Sequence, residues 1–267
     1  MSPEAISVIG TFAIGLIGGI LSGLFGVGAG TLLTPILDLV TTATQTVAMG
    51  LPSLGAFLGE VSASSVYVPK RIASIPDALV IGFAGIVPGF TGAMLSSYLD
   101  NSIQLIGMGC ILVYSAWHTY RCWDQCDEPV EDERIDEEYM TTPHKWRLAT
   151  IGVISGFVSG IFIVGVGFIT IPLLERYGRL RYRQAIATSL LAGVFMNIPG
   201  LGYHIVRGQL DVTPALLLGS GVAIGAYIGA RQSLRSKEKS LKVAYSILLA
   251  ILGVWLVAVT VLATTTS

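Results

Sequence analysis

The sequence predicts an all-α polytopic membrane protein with two inverted structural repeats, and three observations support this prediction. The first is composition, because 52% of the 267 residues are hydrophobic and only 12% are charged, whereas soluble domains carry about 25% charged residues. The second is a series of long apolar segments. The third is a recurrence of glycine, serine and proline positions between the two halves of the chain.

The apolar segments are long enough to cross a bilayer, which takes roughly 20 residues in a helix. The stretch before the first segment has no positive charge, so it is a poor signal peptide and we expect it to be part of the mature protein. The eight segments run near residues 5–40, 44–68, 75–99, 102–122, 146–176, 184–206, 212–232 and 241–263.

The first and fifth segments differ from the others because glycines interrupt them, as GVGAG at 26–30 and GVG at 165–167. Each segment then continues past a proline, Pro35 or Pro172. Backbone exposed at such a break is tolerated in a membrane only where it faces protein or a wet cavity. We therefore predict that each half contains a glycine-broken helix pair, re-entrant or discontinuous, and three transmembrane helices.

The two halves align when the sequence is shifted by 137 residues. Internal repeats around interrupted helices are typical of secondary transporters. The predicted units are a first transmembrane repeat at 1–122, an acidic linker at 123–145 with nine Asp and Glu residues, and a second repeat at 146–267. The matched pairs include Gly15 and Gly152, Gly19 and Gly156, Ser22 and Ser159, Gly23 and Gly160, Gly28 and Gly165, Gly30 and Gly167, and Pro35 and Pro172.

The distribution of Lys and Arg favours inverted halves. If both broken segments return to the side that they entered, each half crosses three times, and fifteen of the 16 Lys and Arg residues share one side, with Arg207 opposite. If all eight segments simply cross, the split is seven to nine and no orientation is preferred. The positive-inside rule then predicts a multi-pass protein of the cell membrane with a cytoplasmic linker and both termini outside.

Several classes of function are disfavoured. The net charge of −1 does not indicate binding of nucleic acid, which requires an excess of positive charge on the binding surface. The three cysteines form no disulfide framework, and we predict no metal site and no cofactor. The sequence leaves the oligomeric state open.

The interrupted helices are candidate anion sites. The free N–H groups at the start of a helix carry roughly half a positive charge, and glycine allows an anion to approach the backbone closely. The alternative is that the glycines serve helix packing, which we favour for Gly15, Gly18, Gly19 and Gly23. Hydroxyl groups can also bond to their own helix backbone. The predicted substrate-binding residues are Ser22, Gly26, Val27, Gly28, Gly30, Thr31, Ser53, Gly165, Gly167, Thr188, Ser189 and Asn197.

Three titratable residues stand apart from these donors. Glu60 lies well inside the second segment, and an ionisable residue within a membrane segment is a functional hypothesis by default. It is a candidate carrier of a coupling proton, and the alternative is a carboxyl group paired with a neighbouring helix. His204 and Arg207 would lie near the outer end of the sixth segment, where they would attract anions into a vestibule or serve as interfacial residues.

Four stretches carry a family resemblance: GLIGGILSGLFGVGAGTLLTPIL at 15–37, GVISGFVSGIFIVGVGFITIPLL at 152–174, RYRQAIATSLLAGVFMNIPGLGYHIVRGQLD at 181–211 and GAYIGAR at 225–231. Together they resemble the TauE/SafE-type sulfite exporter family, also called TSUP permeases. The resemblance implies transport of small sulfur-containing anions such as sulfite, sulfonates or related oxyanions. It also implies a polar role for Thr188, Ser189 and Asn197.

This sequence departs from the family pattern at its glycine motifs. The first motif reads Gly28-Ala29-Gly30, the second reads Gly165-Val166-Gly167-Phe168, and Ala187 replaces the usual glycine before Thr-Ser. These side chains add bulk where the family has bare backbone, so the resemblance does not fix the pore dimensions or the substrate size.

The predicted function is a secondary transporter that binds a small sulfur-containing anion at mid-membrane between two broken helices. Its expected partners are that anion and the lipid bilayer. The alternatives are a passive anion channel and a transporter of small carboxylates. An intramembrane enzyme is disfavoured because the segments contain no paired aspartates, no HExxH motif and no GxSxG motif.

Overall fold

The computed structural model describes residues 3–31, 33, 45–96, 98–121, 142–162, 165–208 and 210–266. Pro35, residues 163–164 and most of the predicted linker lie outside these described residues. A short helical stretch at 29–31 and 33 follows the first helix. The longer helices within the described residues are α1 (Pro3–Phe25), α2 (Gln45–Tyr67), α3 (Ile75–Ser96), α4 (Asn101–Arg121), α5 (Thr142–Phe162), α6 (Gly167–Arg176), α7 (Tyr182–Val206), α8 (Val212–Arg235) and α9 (Glu238–Thr266).

Four of these helices, namely α3, α7, α8 and residues Glu238–Leu262 of α9, are long and apolar enough to cross a membrane. Helices α2, α4 and α5 contain 21 to 23 residues, which corresponds to about 31–35 Å at 1.5 Å per residue. Their length therefore suffices for a bilayer core of about 30 Å, although their composition is less apolar. The helical architecture and the polytopic membrane class predicted from composition are confirmed.

Glycine contacts join the two halves of the chain in a repeated register. Helix α1 packs on α8 with Gly19 against the backbone of Val222, and α5 packs on α3 with Gly156 against the backbone of Gly85. Val222 and Gly85 are separated by the same 137 positions as Gly156 and Gly19. Gly15 and Gly23 on α1, and their counterparts on α5, make the corresponding contacts. The sequence repeat therefore corresponds to a repeated packing arrangement. At these positions a side chain would collide with the facing backbone.

The contacts between helices also give their relative directions. Gly55 lies beside Leu218 and Gly59 beside Ala226, so α2 and α8 run in the same direction. In α4 and α9 the order is reversed, because Gly109 lies beside Val257 while Val113 lies beside Gly253. Helices α4 and α9 are therefore antiparallel.

Candidate functional site

The two helix interruptions contact each other directly. A Cβ atom added to Gly28 would collide with the backbone of Gly165, and one added to Gly167 would collide with the carbonyl oxygen of Gly26. Gly26 and Gly28 adopt φ angles of +72° and +81°, a left-handed conformation that favours glycine. We call residues 26–28 and 165–167 the break junction. The structure therefore brings together the two breaks that the sequence predicted.

A buried carboxyl group lies at the break junction. The side-chain amide of Asn197 donates a hydrogen bond of 2.6 Å to Oε2 of Glu60, whose residue is only 1% exposed. Oε1 of Glu60 lies 3.5 Å from the position that a Cβ atom of Gly28 would occupy. Glu60 is thus paired with a neighbouring helix, as one of the two sequence interpretations expected, and it also lies beside the break.

Glu60 and Asn197 hold equivalent positions in the two repeats, because they are separated by 137 residues. The same separation relates Gly28 and Gly165, which also contact each other. Contacts between equivalent residues occur where two related halves meet around a common pseudo-two-fold axis. The carboxyl group and the glycine breaks therefore lie at the junction between the halves.

A cavity of about 40 Å³ opens beside Asn197, and we call it the His204 cavity. This volume holds a small ion or a few waters, since one water needs roughly 10–15 Å³ by the same measure. Its polar lining consists of hydroxyl, amide, imidazole and backbone groups, and the lining contains no Lys, Arg, Asp or Glu residue. The lining residues are Gly30, Pro52, Ser53, Ala56, Gly89, Ala93, Gly156, Ser159, Gly160, Met196, Asn197, Gly200, Leu201 and His204.

Three of the predicted binding residues, Gly30, Ser53 and Asn197, line this cavity. The lining also includes Ser159, the repeat counterpart of Ser22, and His204, for which the sequence indicated a vestibule or an interfacial role. Sequence reasoning did not identify the wall formed by α3, which contributes Gly89 and Ala93. The packing glycines gave a usable signal here, because Gly89 faces Gly160 across the interface between α3 and α5.

Other predicted donors lie outside the cavity lining. The hydroxyl of Thr31 donates to the carbonyl of Val27 at 3.1 Å, and that of Ser189 donates to the carbonyl of Ile186 at 2.9 Å. The hydroxyl of Thr188 accepts a hydrogen bond of 3.1 Å from the backbone N–H of Ser74. These hydroxyls therefore make local or interhelical structural bonds.

The remaining predicted residues lie around the break junction. Val27 is fully buried between the two positive-φ glycines. Ser22 is also buried, and its hydroxyl has no hydrogen-bond partner among the residues that the structure describes. In the same described ranges, no group of His, Cys, Asp and Glu residues has an arrangement that would hold a metal ion.

Comparisons with known proteins agree with this membrane architecture. Residues 11–256 match the family model described as sulfite exporter TauE/SafE. A protein of Methanocaldococcus jannaschii is 26% identical over 263 residues, which cover 91% of this chain and 92% of the relative. YunE of Bacillus subtilis is 23% identical, with 91% of this chain and 95% of the relative covered. Both relatives are named as probable membrane transporter proteins, so the names describe transporters and not enzymes.

Proposed function

The chain belongs to the sulfite exporter TauE/SafE family and is a membrane transporter, and on that premise we propose that it is a secondary transporter of small sulfur-containing anions such as sulfite or sulfonates. The observation that carries the proposal is the His204 cavity, which lies beside Asn197, the hydrogen-bond partner of Glu60 at the break junction. Its lining supplies several neutral hydrogen-bond donors around a small volume.

The chemistry of the cavity suits reversible binding of an oxyanion. Ser53, Ser159, Asn197 and His204 can donate hydrogen bonds to different oxygens of one ion. Hydrogen bonds to a charged group contribute about 1.5–3 kcal/mol each. Because the cavity lining carries no Lys or Arg, the anion would be bound by oriented dipoles and could be released without breaking an ion pair.

The backbone of the breaks would complete the site. We propose that backbone N–H groups of 27–31 and 165–168 contribute to anion binding, since the interrupted helices start their second arms there. The N–H of Gly26 already donates a hydrogen bond of 2.7 Å to the carbonyl of Ser22. Gly30 already lines the cavity, and the bare backbone of Gly28 and Gly165 lets the two arms approach each other. The predicted residues Ser22, Thr188 and Ser189 would surround this site without lining the cavity.

We further propose that the halves, 1–122 and 146–267, are inverted repeats. The support is the direction of equivalent helices, because α4 and α9 occupy corresponding places in the two halves and run antiparallel. With the Lys and Arg distribution, this arrangement assigns the linker at 123–145 to the cytoplasm and both termini to the outside of the cell membrane. Cysteine labelling in the linker and at the C-terminus tests it, and labelling of both from one side of the membrane would contradict it.

Proton coupling through Glu60 is part of the same proposal. An ionised Glu60 beside the break would repel an anion bound there, whereas a protonated carboxyl group would not. Binding of the anion and binding of a proton would then favour each other, because linkage between two sites is reciprocal.

The test is flux into proteoliposomes containing the purified protein. We expect saturable uptake and counterflow of one or more members of a panel of sulfur oxyanions and sulfonates, and stimulation by an inward proton gradient. Small carboxylates are the comparison substrates, and transport of these alone would overturn the proposed substrate class. A large unsaturable conductance would instead indicate a passive channel. Gly10→Ala is the matched control, because a Cβ atom at Gly10 meets nothing within 4 Å.

A further inference from the structure

The repeat relates the His204 cavity to a second set of residues on the other face of the break junction. A shift of 137 positions carries each lining residue onto a counterpart in the opposite half. The counterparts used below are Ser22 for Ser159, Gly23 for Gly160, Glu60 for Asn197, Ser64 for Leu201 and Tyr67 for His204.

This second set is packed shut. The side chain of Tyr67 is fully buried, and its hydroxyl donates a hydrogen bond of 3.0 Å to the carbonyl oxygen of Gly23. Gly23 is the counterpart of Gly160, which lines the open cavity. The phenol ring therefore closes the region that corresponds to open space on the His204 face.

Two hydroxyl groups are left without partners where the counterpart is closed. Ser22 is 0% exposed and Ser64 is 5% exposed, and the Oγ atom of each has no hydrogen-bond partner in the described part of the chain. An unsatisfied buried polar group costs about 1–3 kcal/mol, and nearly all buried polar groups in native proteins are paired. These hydroxyls are well placed to donate to water or to an anion once space opens beside them.

We infer that Ser22, Gly23, Glu60, Ser64 and Tyr67 form a second, closed half-site for the transported anion, and that the Tyr67 side chain is its gate. We call this set the Tyr67 half-site. The inference rests on the proposed transport function and on the inversion of the repeats. In such a transporter, exchange of the conformations of the two halves closes one face and opens the other around a fixed centre.

The two half-sites would present the anion with different chemistry. The His204 cavity offers an imidazole and the amide of Asn197, while the Tyr67 half-site offers a phenol, the hydroxyls of Ser22 and Ser64, and the carboxyl group of Glu60. Opening requires loss of the bond from Tyr67 to Gly23. The free-energy cost of breaking this hydrogen bond is offset when the hydroxyls of Ser22 and Ser64 gain the hydrogen-bond partners that they lack in the closed form.

Cysteine accessibility tests this gate without any substrate. In a background with Cys110, Cys122 and Cys126 replaced by Ser, Ser64→Cys is compared with Leu201→Cys, its repeat counterpart in the open cavity. A membrane-impermeant maleimide is applied from each side of oriented membranes. We expect modification of Leu201→Cys from one side only and protection of Ser64→Cys from both sides.

Removal of the gate should then expose the closed half-site. In Tyr67→Ala, Ser64→Cys should react at least about tenfold faster, and only from the side opposite to that which modifies Leu201→Cys. Tyr67→Phe keeps the ring but loses the bond to Gly23, so its rate should lie between those of the parent and Tyr67→Ala. It also provides the test if Tyr67→Ala does not fold.

Continued protection of Ser64→Cys in the folded gate variants, or its modification from the same side as Leu201→Cys, would overturn the inference. Because labelling uses no anion, a failure of sulfite transport would leave this result intact. Conversely, normal transport with a protected Ser64→Cys would refute the half-site alone.

Discussion

The two faces of the break junction are built from equivalent positions of the repeat, but these positions carry different side chains. On one face, Ser159, Asn197 and His204 line a cavity. On the other, their repeat counterparts Ser22, Glu60 and Tyr67 are at most 1% exposed, against 9% for Ser159 and 5% for His204. Under the proposed mechanism, the repeat sets where a pathway opens on each face, and the substituted side chains give the two faces different chemistry.

The closed face is reinforced by aromatic packing. Tyr67 belongs to the same buried cluster as Phe25, Tyr182 and Tyr245, and the rings of Tyr182 and Tyr245 lie 5.9 Å apart between centroids. Beyond them, Lys242 donates a hydrogen bond of 2.7 Å to Glu175. The barrier on this face is therefore a layer several side chains thick. On the His204 face, the ring of His204 lies 5.7 Å from that of Tyr203 between centroids, beside the cavity.

Substitution at the break junction should have the largest effect, because both faces depend on it. Gly28→Ala and Gly165→Ala would each push a Cβ atom into the facing backbone, and Gly28 also has a φ of +81°. Overpacking of this kind costs about 1–3 kcal/mol, and the strained φ adds to it. We expect a clear loss of folded protein and a lower unfolding temperature in detergent.

Gly10→Ala is the control for these variants, because a Cβ atom there meets nothing. Unfolding of both junction variants at the parent temperature would mean that the two breaks are not packed against each other. Gly28→Val is less informative as a test of anion affinity, because the contact with Gly165 makes loss of folding the expected first result.

The next effect concerns pH. Glu60→Gln keeps a side-chain oxygen that can accept the bond from Asn197 but removes the titrating group. If one proton binds with one anion, parent affinity should fall as pH rises, by up to about tenfold per pH unit. The variant should bind with little dependence on pH, as measured by anion binding to folded protein. An unchanged pH profile would leave Glu60 as a packing residue.

Part of this site could be read from the sequence. The interrupted helices, Gly30, Ser53 and Asn197 follow from glycine spacing and from the placement of polar residues in apolar segments. The contact between Glu60 and Asn197 could also be predicted from the sequence, because their separation equals the repeat shift and equivalent residues near a pseudo-two-fold axis can touch.

Other features depend on contacts of individual side chains, which the periodic pattern of the sequence does not predict. The bond from Tyr67 to Gly23 spans 44 positions, and that between Ser74 and Thr188 spans 114. Neither follows from local pattern, because any hydroxyl in an apolar helix has its own backbone as a competing acceptor. The open and closed faces are therefore indistinguishable in a repeat alignment.

A cavity hydroxyl should have a moderate effect on binding alone. Ser159→Ala removes a hydroxyl from the lining of the His204 cavity. Loss of one hydrogen bond to a charged ligand costs about 1.5–3 kcal/mol, or roughly ten- to a hundred-fold in affinity. We expect that loss in equilibrium anion binding to the folded variant. Parent affinity in this variant would remove Ser159 from the site.

The smallest effect is expected at the repeat counterpart of that serine. Ser22→Ala removes a buried hydroxyl that has no partner in the described part of the chain, so the closed conformation loses no hydrogen bond and is relieved of a desolvation cost. Stability should rise by about 1 kcal/mol, and equilibrium affinity for the anion should stay at the parent value, because the Tyr67 half-site is shut when the His204 cavity is open. Turnover should still fall, since the anion would meet one donor fewer after the gate opens. Equal losses of affinity in Ser22→Ala and Ser159→Ala would show instead that both faces bind the anion in the same conformation, which two half-sites opened in turn do not allow.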